Sequence, residues 1–237
     1  MIADPKDFDS RFEFSKATSN YHFDPSILDE ESDVFLRIGK FEGDWQDEID
    51  YCLANSKKIS NSFVNRIGAD DPYTKRLDVA DLARIGVDAD WVLFDKYIPT
   101  ARCRKLRAMA NAFGLESLQF NIHVQMPGQV FFYHVDNLTS LRKNQNETSL
   151  MDEPNRAARF GIALQDWQPG HVYGFGNTYW KQWKAGDIVW HDWINTPHGT
   201  ANFGHSPRIT LQVTGIVTET TKRILFEKNL KICVDTV

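Results

Sequence analysis

Three side chains in the C-terminal half have the types and spacing of ligands to a catalytic metal ion. His134 and Asp136 are two residues apart at the end of an apolar stretch, and side chains two apart on a strand point to the same face. His198 follows a second apolar stretch. Two imidazoles and one carboxylate that leave other positions open suit ferrous iron, because that ion must also hold substrate and oxygen. The sequence therefore predicts a catalytic iron centre at His134, Asp136 and His198.

The His-x-Asp pattern is short and occurs twice, so its context decides between the two copies. The copy at 22–24 lies in a polar N-terminal segment with no pair of strand patterns before it. The copy at His134 follows a Pro-Gly turn and an apolar stretch, which favours it as the ligand pair. His191 competes with the second histidine, but its spacing to Arg208 is longer, so we assign it to the pocket wall or to the fold.

An arginine and a hydroxyl follow the second histidine. Arg208 lies ten residues after His198, and Thr210 shares its face of a predicted strand. A guanidinium is a planar fork that binds a carboxylate through two hydrogen bonds, and a neighbouring hydroxyl can add a third. An arginine that points into a barrel is costly unless it is paired. We therefore expect a dicarboxylate that chelates the iron at one end and meets Arg208 and Thr210 at the other.

Two further groups of polar residues are candidates for binding. Asn121, His123 and Gln125 form a strip on one face of a predicted strand, and we assign Asn121 and Gln125 to cosubstrate binding. The alternative is a solvated sheet face or, for His123, a satisfied core histidine. Arg159 begins a later strand, where we favour a surface role, with contact to a substrate carboxylate as the alternative. The polar insert at 138–157 is a candidate lid.

The combination of His134-x-Asp136, His198 and Arg208-x-Thr210 resembles the Fe(II)- and 2-oxoglutarate-dependent dioxygenases. The resemblance covers roughly residues 116–217. It implies a double-stranded β-helix with the metal inside one mouth. It also implies that oxygen decarboxylates 2-oxoglutarate to succinate while a substrate carbon is oxidised. Since members that halogenate usually lack the carboxylate ligand, the presence of Asp136 favours hydroxylation.

The substrate and two rival functions stay open. The N-terminal half matches no particular branch of that family, so we expect an unidentified small-molecule or amino-acid-type substrate. A cupin-like hydrolase or isomerase with zinc or manganese would use Arg208 to bind its substrate directly, without 2-oxoglutarate. A jelly-roll binding module would have no functional metal. The spacing of Arg208 and Thr210 favours the dioxygenase over both.

The composition indicates which classes of partner and which cellular compartment to expect. Of 237 residues, 42% are hydrophobic and 25% are charged, as in ordinary soluble globular proteins. The net charge of -5 disfavours nucleic acid as a partner. Three scattered cysteines indicate a reducing compartment, and no run is apolar enough for a membrane span. We therefore expect a cytoplasmic protein, whose oligomeric state the sequence leaves open.

The periodicity of the apolar residues changes along the chain, which predicts one α+β domain over 1–237. It has a mainly helical flank at 1–115, a jelly-roll (cupin-like) core at 116–217 and a C-terminal extension at 218–237. Residues 1 to about 40 are expected to be irregular. The predicted helices span 44–54, 79–85, 91–97 and 99–113. The predicted strands span 120–126, 129–135, 159–167, 171–175, 187–190 and 208–217, the first two forming a hairpin through Pro127-Gly128.

Overall fold

The computed structural model describes residues 35–55, 59–60, 91–94, 98–99, 101–136, 138, 141, 156–176, 178–193 and 196–236. The predicted helix at 79–85, the His-x-Asp copy at 22–24 and most of the candidate lid at 138–157 lie outside the described residues.

Twelve strands are present in the described part of the chain. In chain order they are β1 (Leu36–Glu42), β2 (Ile59–Ser60), β3 (Trp91–Phe94), β4 (Glu116–Gln125), β5 (Val130–His134), β6 (Ala157–Ala163), β7 (His171–Phe175), β8 (Thr178–Trp180), β9 (Asp187–Trp190), β10 (His198–Asn202), β11 (Arg208–Ile216) and β12 (Leu230–Cys233). The eight-stranded sheet has the order β12-β1-β9-β6-β11-β4-β3-β2, and the four-stranded sheet has the order β5-β10-β7-β8. Among these strands, β1 and β12 pair in parallel and the other neighbours are antiparallel.

The alternation of β4 explains how the large sheet separates a core from a cavity. Phe120, Ile122 and Val124 are buried in the main hydrophobic core. His123 and Gln125 alternate with them and line a cavity whose walls come from both sheets. The predicted α+β class with a jelly-roll core is therefore confirmed, and the cavity lies between its two sheets.

Three α-helices lie wholly within the described ranges: α1 (Gln46–Asn55), α2 (Arg104–Asn111) and α3 (Glu219–Glu227). A short 3₁₀-helix spans Val234–Thr236. The predicted helix at 44–54 is confirmed as α1, and the Asp44 side chain accepts a hydrogen bond from the Gln46 N–H at 3.0 Å. The helix predicted at 99–113 is shorter, since α2 begins only at Arg104. Buried side chains of α1 and α2 join the main core, as predicted for helices packed on the jelly roll. None of the three described helices is long and apolar enough to cross a membrane.

Two local predictions, a helix at 91–97 and a hairpin through Pro127-Gly128, are wrong. The helix predicted at 91–97 is instead strand β3 over Trp91–Phe94, paired with β4 and β2, because a short apolar and aromatic run fits a strand as well as a helix face. The predicted hairpin is also wrong, because β4 belongs to the large sheet and β5 to the small one. The turn between them crosses from sheet to sheet, and the Gly128 N–H donates to the Asn202 carbonyl at 2.7 Å.

The expectation of an irregular segment up to about residue 40 is wrong for the residues from Leu36 onward. Strand β1 lies inside the large sheet between β9 and β12. Its apolar residues Leu36, Ile38 and Phe41 alternate imperfectly with charged ones, since the register shifts between Arg37 and Gly39. That irregularity breaks the period of two by which a strand is recognised in a sequence.

Candidate metal centre

The predicted metal ligands lie together on the small sheet. His134 is the last residue of β5, and His198 is the first residue of β10. The antiparallel register places these two histidines directly opposite each other. Asp136 follows β5 by two residues, where its backbone N–H donates to the Trp193 carbonyl at 2.8 Å. We call His134, Asp136 and His198 the ligand cluster.

The spacing within the ligand cluster fits one metal ion. Its three candidate donor atoms lie within 4.8 Å of one another. Nε2 of His134 is 3.8 Å from Oδ1 of Asp136, and Nε2 of His198 is 3.5 Å from Oδ2. Donors lie about 2 Å from a bound transition-metal ion, so two donors of one ion are about 3 to 4 Å apart. The donor set and its spacing therefore fit a divalent transition-metal ion.

The orientation of His198 is fixed by its other ring nitrogen. Nδ1 lies 3.0 Å from the Thr196 carbonyl oxygen, which accepts a hydrogen bond and so places the proton on Nδ1. The Nε2 lone pair is then left for the ligand cluster. Such a contact from the far nitrogen is the usual way in which a ligating histidine is oriented.

Arg159 is the immediate neighbour of the cluster's carboxylate. Its Nη1 lies 2.5 Å from Oδ2 of Asp136, and its Nε donates to Oγ1 of Thr214 at 3.1 Å. Burial acts to raise the pKa of Asp136, but Arg159 and then the imidazoles of His198 and His134 outweigh it, so the pKa lies below its usual range. The carboxylate is therefore ionised at neutral pH. Arg159 lines the cavity, which makes the surface role weighed for it wrong.

Arg208 lies in the same cavity and is held in a fixed plane. Its side chain is buried, Nε donates to Oε1 of Gln125 at 3.0 Å, and the guanidinium lies over the Tyr173 ring at 5.3 Å. Gln125 in turn donates to the Thr200 carbonyl at 3.3 Å. Thr210, two residues along β11, is buried and lines the cavity too. One cavity thus contains the ligand cluster and the predicted cosubstrate residues Arg208, Thr210 and Gln125.

The polar strip on β4 enters the cavity only in part. Among the described residues, the cavity lining includes His123 and Gln125 but not Asn121. Asn121 is half-buried and lies opposite Gln212 on β11. The geometry therefore does not bring Asn121 to the cosubstrate residues, although Gln212, which the sequence did not single out, does line the cavity.

His191 occupies the pocket wall that we proposed for it. It is buried, and its ring centroid lies 4.3 Å from that of His198 and 5.0 Å from that of Phe175. Within the described residues, neither of its ring nitrogens has a hydrogen-bond partner. Burial and then the nearby His198 hold the pKa of His191 well below its ordinary value. The side chain is therefore a neutral imidazole.

A second buried histidine lies outside the cavity, in what we call the His171 corner, which comprises Gln168, His171, Asn202 and Ser206. Nδ1 of His171 accepts from the Gln168 N–H at 3.4 Å, and Nε2 donates to the Ser206 carbonyl at 3.1 Å. The Asn202 amide donates to the same carbonyl at 2.8 Å. Burial lowers the pKa of His171, so this imidazole is neutral as well.

Tyr173 is a cavity residue that the sequence reasoning missed. It follows His171 by two on β7 and is largely buried. Burial raises its pKa to about 12, so the phenol is neutral beside Arg208. The alternation of His171, Tyr173 and Phe175 was the available signal, but it does not tell which sheet face meets the cavity.

Comparisons with known proteins give weak likenesses. No protein-family model matches the chain, and no curated protein matches it. Among solved structures, a prolyl-4-hydroxylase from Pseudomonas putida is 19% identical, with 55% of this chain and 72% of that chain covered and a TM-score of 0.39. A Thermotoga maritima protein described as a predicted oxalate decarboxylase is 14% identical, with coverages of 69% and 93% and a TM-score of 0.35.

A third structure, a sugar phosphate isomerase of the cupin superfamily from Silicibacter pomeroyi, is 12% identical. It covers 69% of this chain and 73% of its own, with a TM-score of 0.35. Likenesses this low do not distinguish between functions. The fold assignment therefore rests on the strand order of the chain itself.

Proposed function

We propose that the chain is an Fe(II)- and 2-oxoglutarate-dependent dioxygenase that hydroxylates a small-molecule or amino-acid-type substrate. The observation that carries this proposal is that a single cavity contains both the ligand cluster and the buried Arg208. The ligand cluster accounts for a metal ion, and Arg208 accounts for an anionic cosubstrate.

The ligand cluster would hold the iron with three protein donors. The hydrogen bond from Nδ1 of His198 to the Thr196 carbonyl leaves the Nε2 lone pair for a metal ion. The lowered pKa of Asp136 provides an ionised carboxylate at neutral pH. When bound, iron supplies the reaction with oxygen that oxidises both 2-oxoglutarate and the substrate. Three protein donors would leave other positions of the ion open for 2-oxoglutarate.

Arg208 would bind the distal carboxylate of 2-oxoglutarate. Gln125 holds the guanidinium by Nε, and the Tyr173 ring supports its flat face. A guanidinium fixed in this way loses little freedom when it binds a carboxylate, and Thr210 adds a hydroxyl on the same strand face. The residues assigned to the cosubstrate are therefore Arg208, Thr210 and Gln125.

The cavity walls would keep water away from the reaction. Phe131, Phe160 and Tyr173 line the cavity beside the polar residues. Aromatic walls of this kind strengthen the electrostatic contacts inside and limit side reactions with water.

The remaining parts of the proposal rest on the sequence. The proposal includes a single domain with its catalytic core at 116–217. It also includes a cytoplasmic location and a substrate that is not a nucleic acid. They are supported by the periodicity, the three scattered cysteines and the net charge of -5.

Anaerobic spectroscopy tests the proposal. Fe(II) and 2-oxoglutarate are added to the purified protein without oxygen, and the weak visible charge-transfer band of the chelate is recorded. Succinate is then measured after oxygen is admitted. We expect the band and oxygen-dependent succinate in the wild type and neither in His134→Ala, while His171→Asn serves as the control for a buried histidine outside the cavity.

Two results would contradict the proposal. Absence of both the band and the succinate in the wild type rejects the dioxygenase. Turnover that needs zinc or manganese but no 2-oxoglutarate would support the cupin-like hydrolase or isomerase instead.

A further inference from the structure

Arg159 retains hydrogen-bond donors beside the ligand cluster. Its Nη1 faces Asp136 and its Nε donates to Thr214, whereas no hydrogen bond among the described residues uses Nη2. The side chain is 15% exposed and lines the cavity, so these donors are accessible from within it. A guanidinium has five N–H donors in one plane. Arg159 can therefore hold Asp136 and bind a second acceptor at the same time.

The cavity with its proposed cofactors has an excess of positive charge. A divalent ion, Arg159 and Arg208 contribute four positive charges, whereas Asp136 and 2-oxoglutarate contribute three negative ones. No other acidic side chain in the described part of the chain lines the cavity, and burial keeps Tyr173 neutral. Unbalanced charge is unfavourable away from water. A ligand with one negative charge would balance the cavity.

His191 provides a second donor next to Arg159. The last pair of β6 and β9 joins Phe160 to Trp190, and Arg159 and His191 each lie one residue beyond that pair. Both side chains line the cavity. His191 is 1% exposed and its two ring nitrogens have no hydrogen-bond partner within the described residues. Buried polar groups are normally paired, so this pattern indicates that a ligand in the cavity supplies the partner.

We propose that the substrate is a small organic acid with one net negative charge, such as a monocarboxylic acid or an acidic amino acid, whose carboxylate binds Arg159 with His191 as the neighbouring donor. This inference rests on the proposed function, because the charge balance assumes both the ion and 2-oxoglutarate. It assigns the two arginines to different carboxylates. Arg208 binds the cosubstrate, and Arg159 binds the substrate next to the ligand cluster.

Matched acids and amides test this assignment by binding rather than by turnover. The anaerobic complex with Fe(II) and 2-oxoglutarate is titrated with the twenty L-amino acids, with short aliphatic carboxylic acids, and with the carboxamide of each. Binding is read from the shift of the chelate band and from the thermal midpoint. We expect at least one acid to bind about tenfold or more tightly than its own amide, because only the acid forms a charge-assisted pair.

Three variants test whether the preference for the acid over its amide depends on Arg159. Arg159→Gln removes the preference for the acid while the chelate band remains, and Arg159→Lys keeps part of the preference because it keeps the charge. Arg156→Gln is the matched control, since Arg156 precedes β6 and does not line the cavity. Retention of the chelate band shows that each variant is folded and loaded.

The outcomes separate this inference from the proposed function. Amides that bind as tightly as acids, a panel in which no acid binds, or an unchanged preference in Arg159→Gln would each overturn the assignment of Arg159. Absence of the chelate band in the wild type would instead reject the dioxygenase itself.

Discussion

The His171 corner and the cavity each contain a buried histidine, but the two histidines differ in the hydrogen bonds of their ring nitrogens. His171 pairs both ring nitrogens with backbone groups of Gln168 and Ser206. His191 is equally buried, yet neither of its nitrogens has a hydrogen-bond partner among the described residues. Burial alone therefore does not identify a functional histidine in this chain. Pairing of both ring nitrogens with the backbone, as in His171, indicates a structural role. Nitrogens without such a pairing beside the ligand cluster indicate a ligand.

The largest expected difference between the two regions is in metal affinity. His198→Ala removes one of three ligands and should weaken Fe(II) binding on the order of a hundredfold or more, whereas His171→Ala should leave it nearly unchanged. Anaerobic titration with Fe(II) measures both affinities. Equal losses in the two variants would show that the effect is one of folding and not of ligation.

The next largest effect should fall on the cosubstrate. Arg208→Gln removes the charge that is assigned to 2-oxoglutarate, so the dissociation constant for 2-oxoglutarate should rise about 30-fold or more. Iron affinity should change much less, because Arg208 does not belong to the ligand cluster. Titration of the chelate band at saturating iron gives the first value, and iron titration gives the second. Parallel losses would point to misfolding.

A matched pair of substitutions compares the two histidines by stability. His171→Phe leaves the Gln168 N–H without its acceptor and should lower the free energy of unfolding of the metal-free protein by about 1 to 3 kcal/mol. His191→Phe removes a buried polar group with no described partner, so its effect should be within about 1 kcal/mol of zero. Urea unfolding measures both. The comparison fails if His191→Phe is the more destabilising variant.

The smallest expected effect is a change in the pH dependence of the unfolding free energy in His171→Phe. Burial lowers the pKa of His171 below its ordinary 6.5, so the unfolded chain takes up a proton there before the folded one does. The stability linked to this group is complete above its unfolded pKa and is lost as the pH falls below it. The decline in unfolding free energy from about pH 7 to about pH 5 should be shallower in His171→Phe than in the wild type. Identical slopes of unfolding free energy against pH in the two proteins would contradict a lowered pKa of His171.

The parts of the site that were predictable come from single strands. His134 and Asp136 share the end of one predicted strand, and Arg208 and Thr210 share one face of another. Local alternation is sufficient to place such pairs. The geometry agrees with these predictions in bringing His134, Asp136, His198 and Arg208 to one cavity.

The parts that were missed depend on which strands become neighbours. Arg159 and His191 line the same cavity because β6 pairs with β9, and Arg159 reaches Asp136 from the other sheet. No local pattern encodes these contacts. The same reason explains the wrong hairpin, since Pro127-Gly128 predicts a turn but not whether the chain returns to the same sheet.

The parallel pair of β1 and β12 has a consequence for how the chain is made. Asp44, just after β1, donates its N–H to the Asp235 carboxylate from 191 residues away in the chain, and β9, the other neighbour of β1, also comes late. At ribosomal speeds about 10 to 40 seconds pass between the synthesis of the two partners. Until β9 is made, β1 has neither of its neighbours, so the backbone N–H and C=O groups on both of its edges have no strand to pair with. The large sheet must therefore be completed late in synthesis, and its first strand is the segment most in need of protection until then.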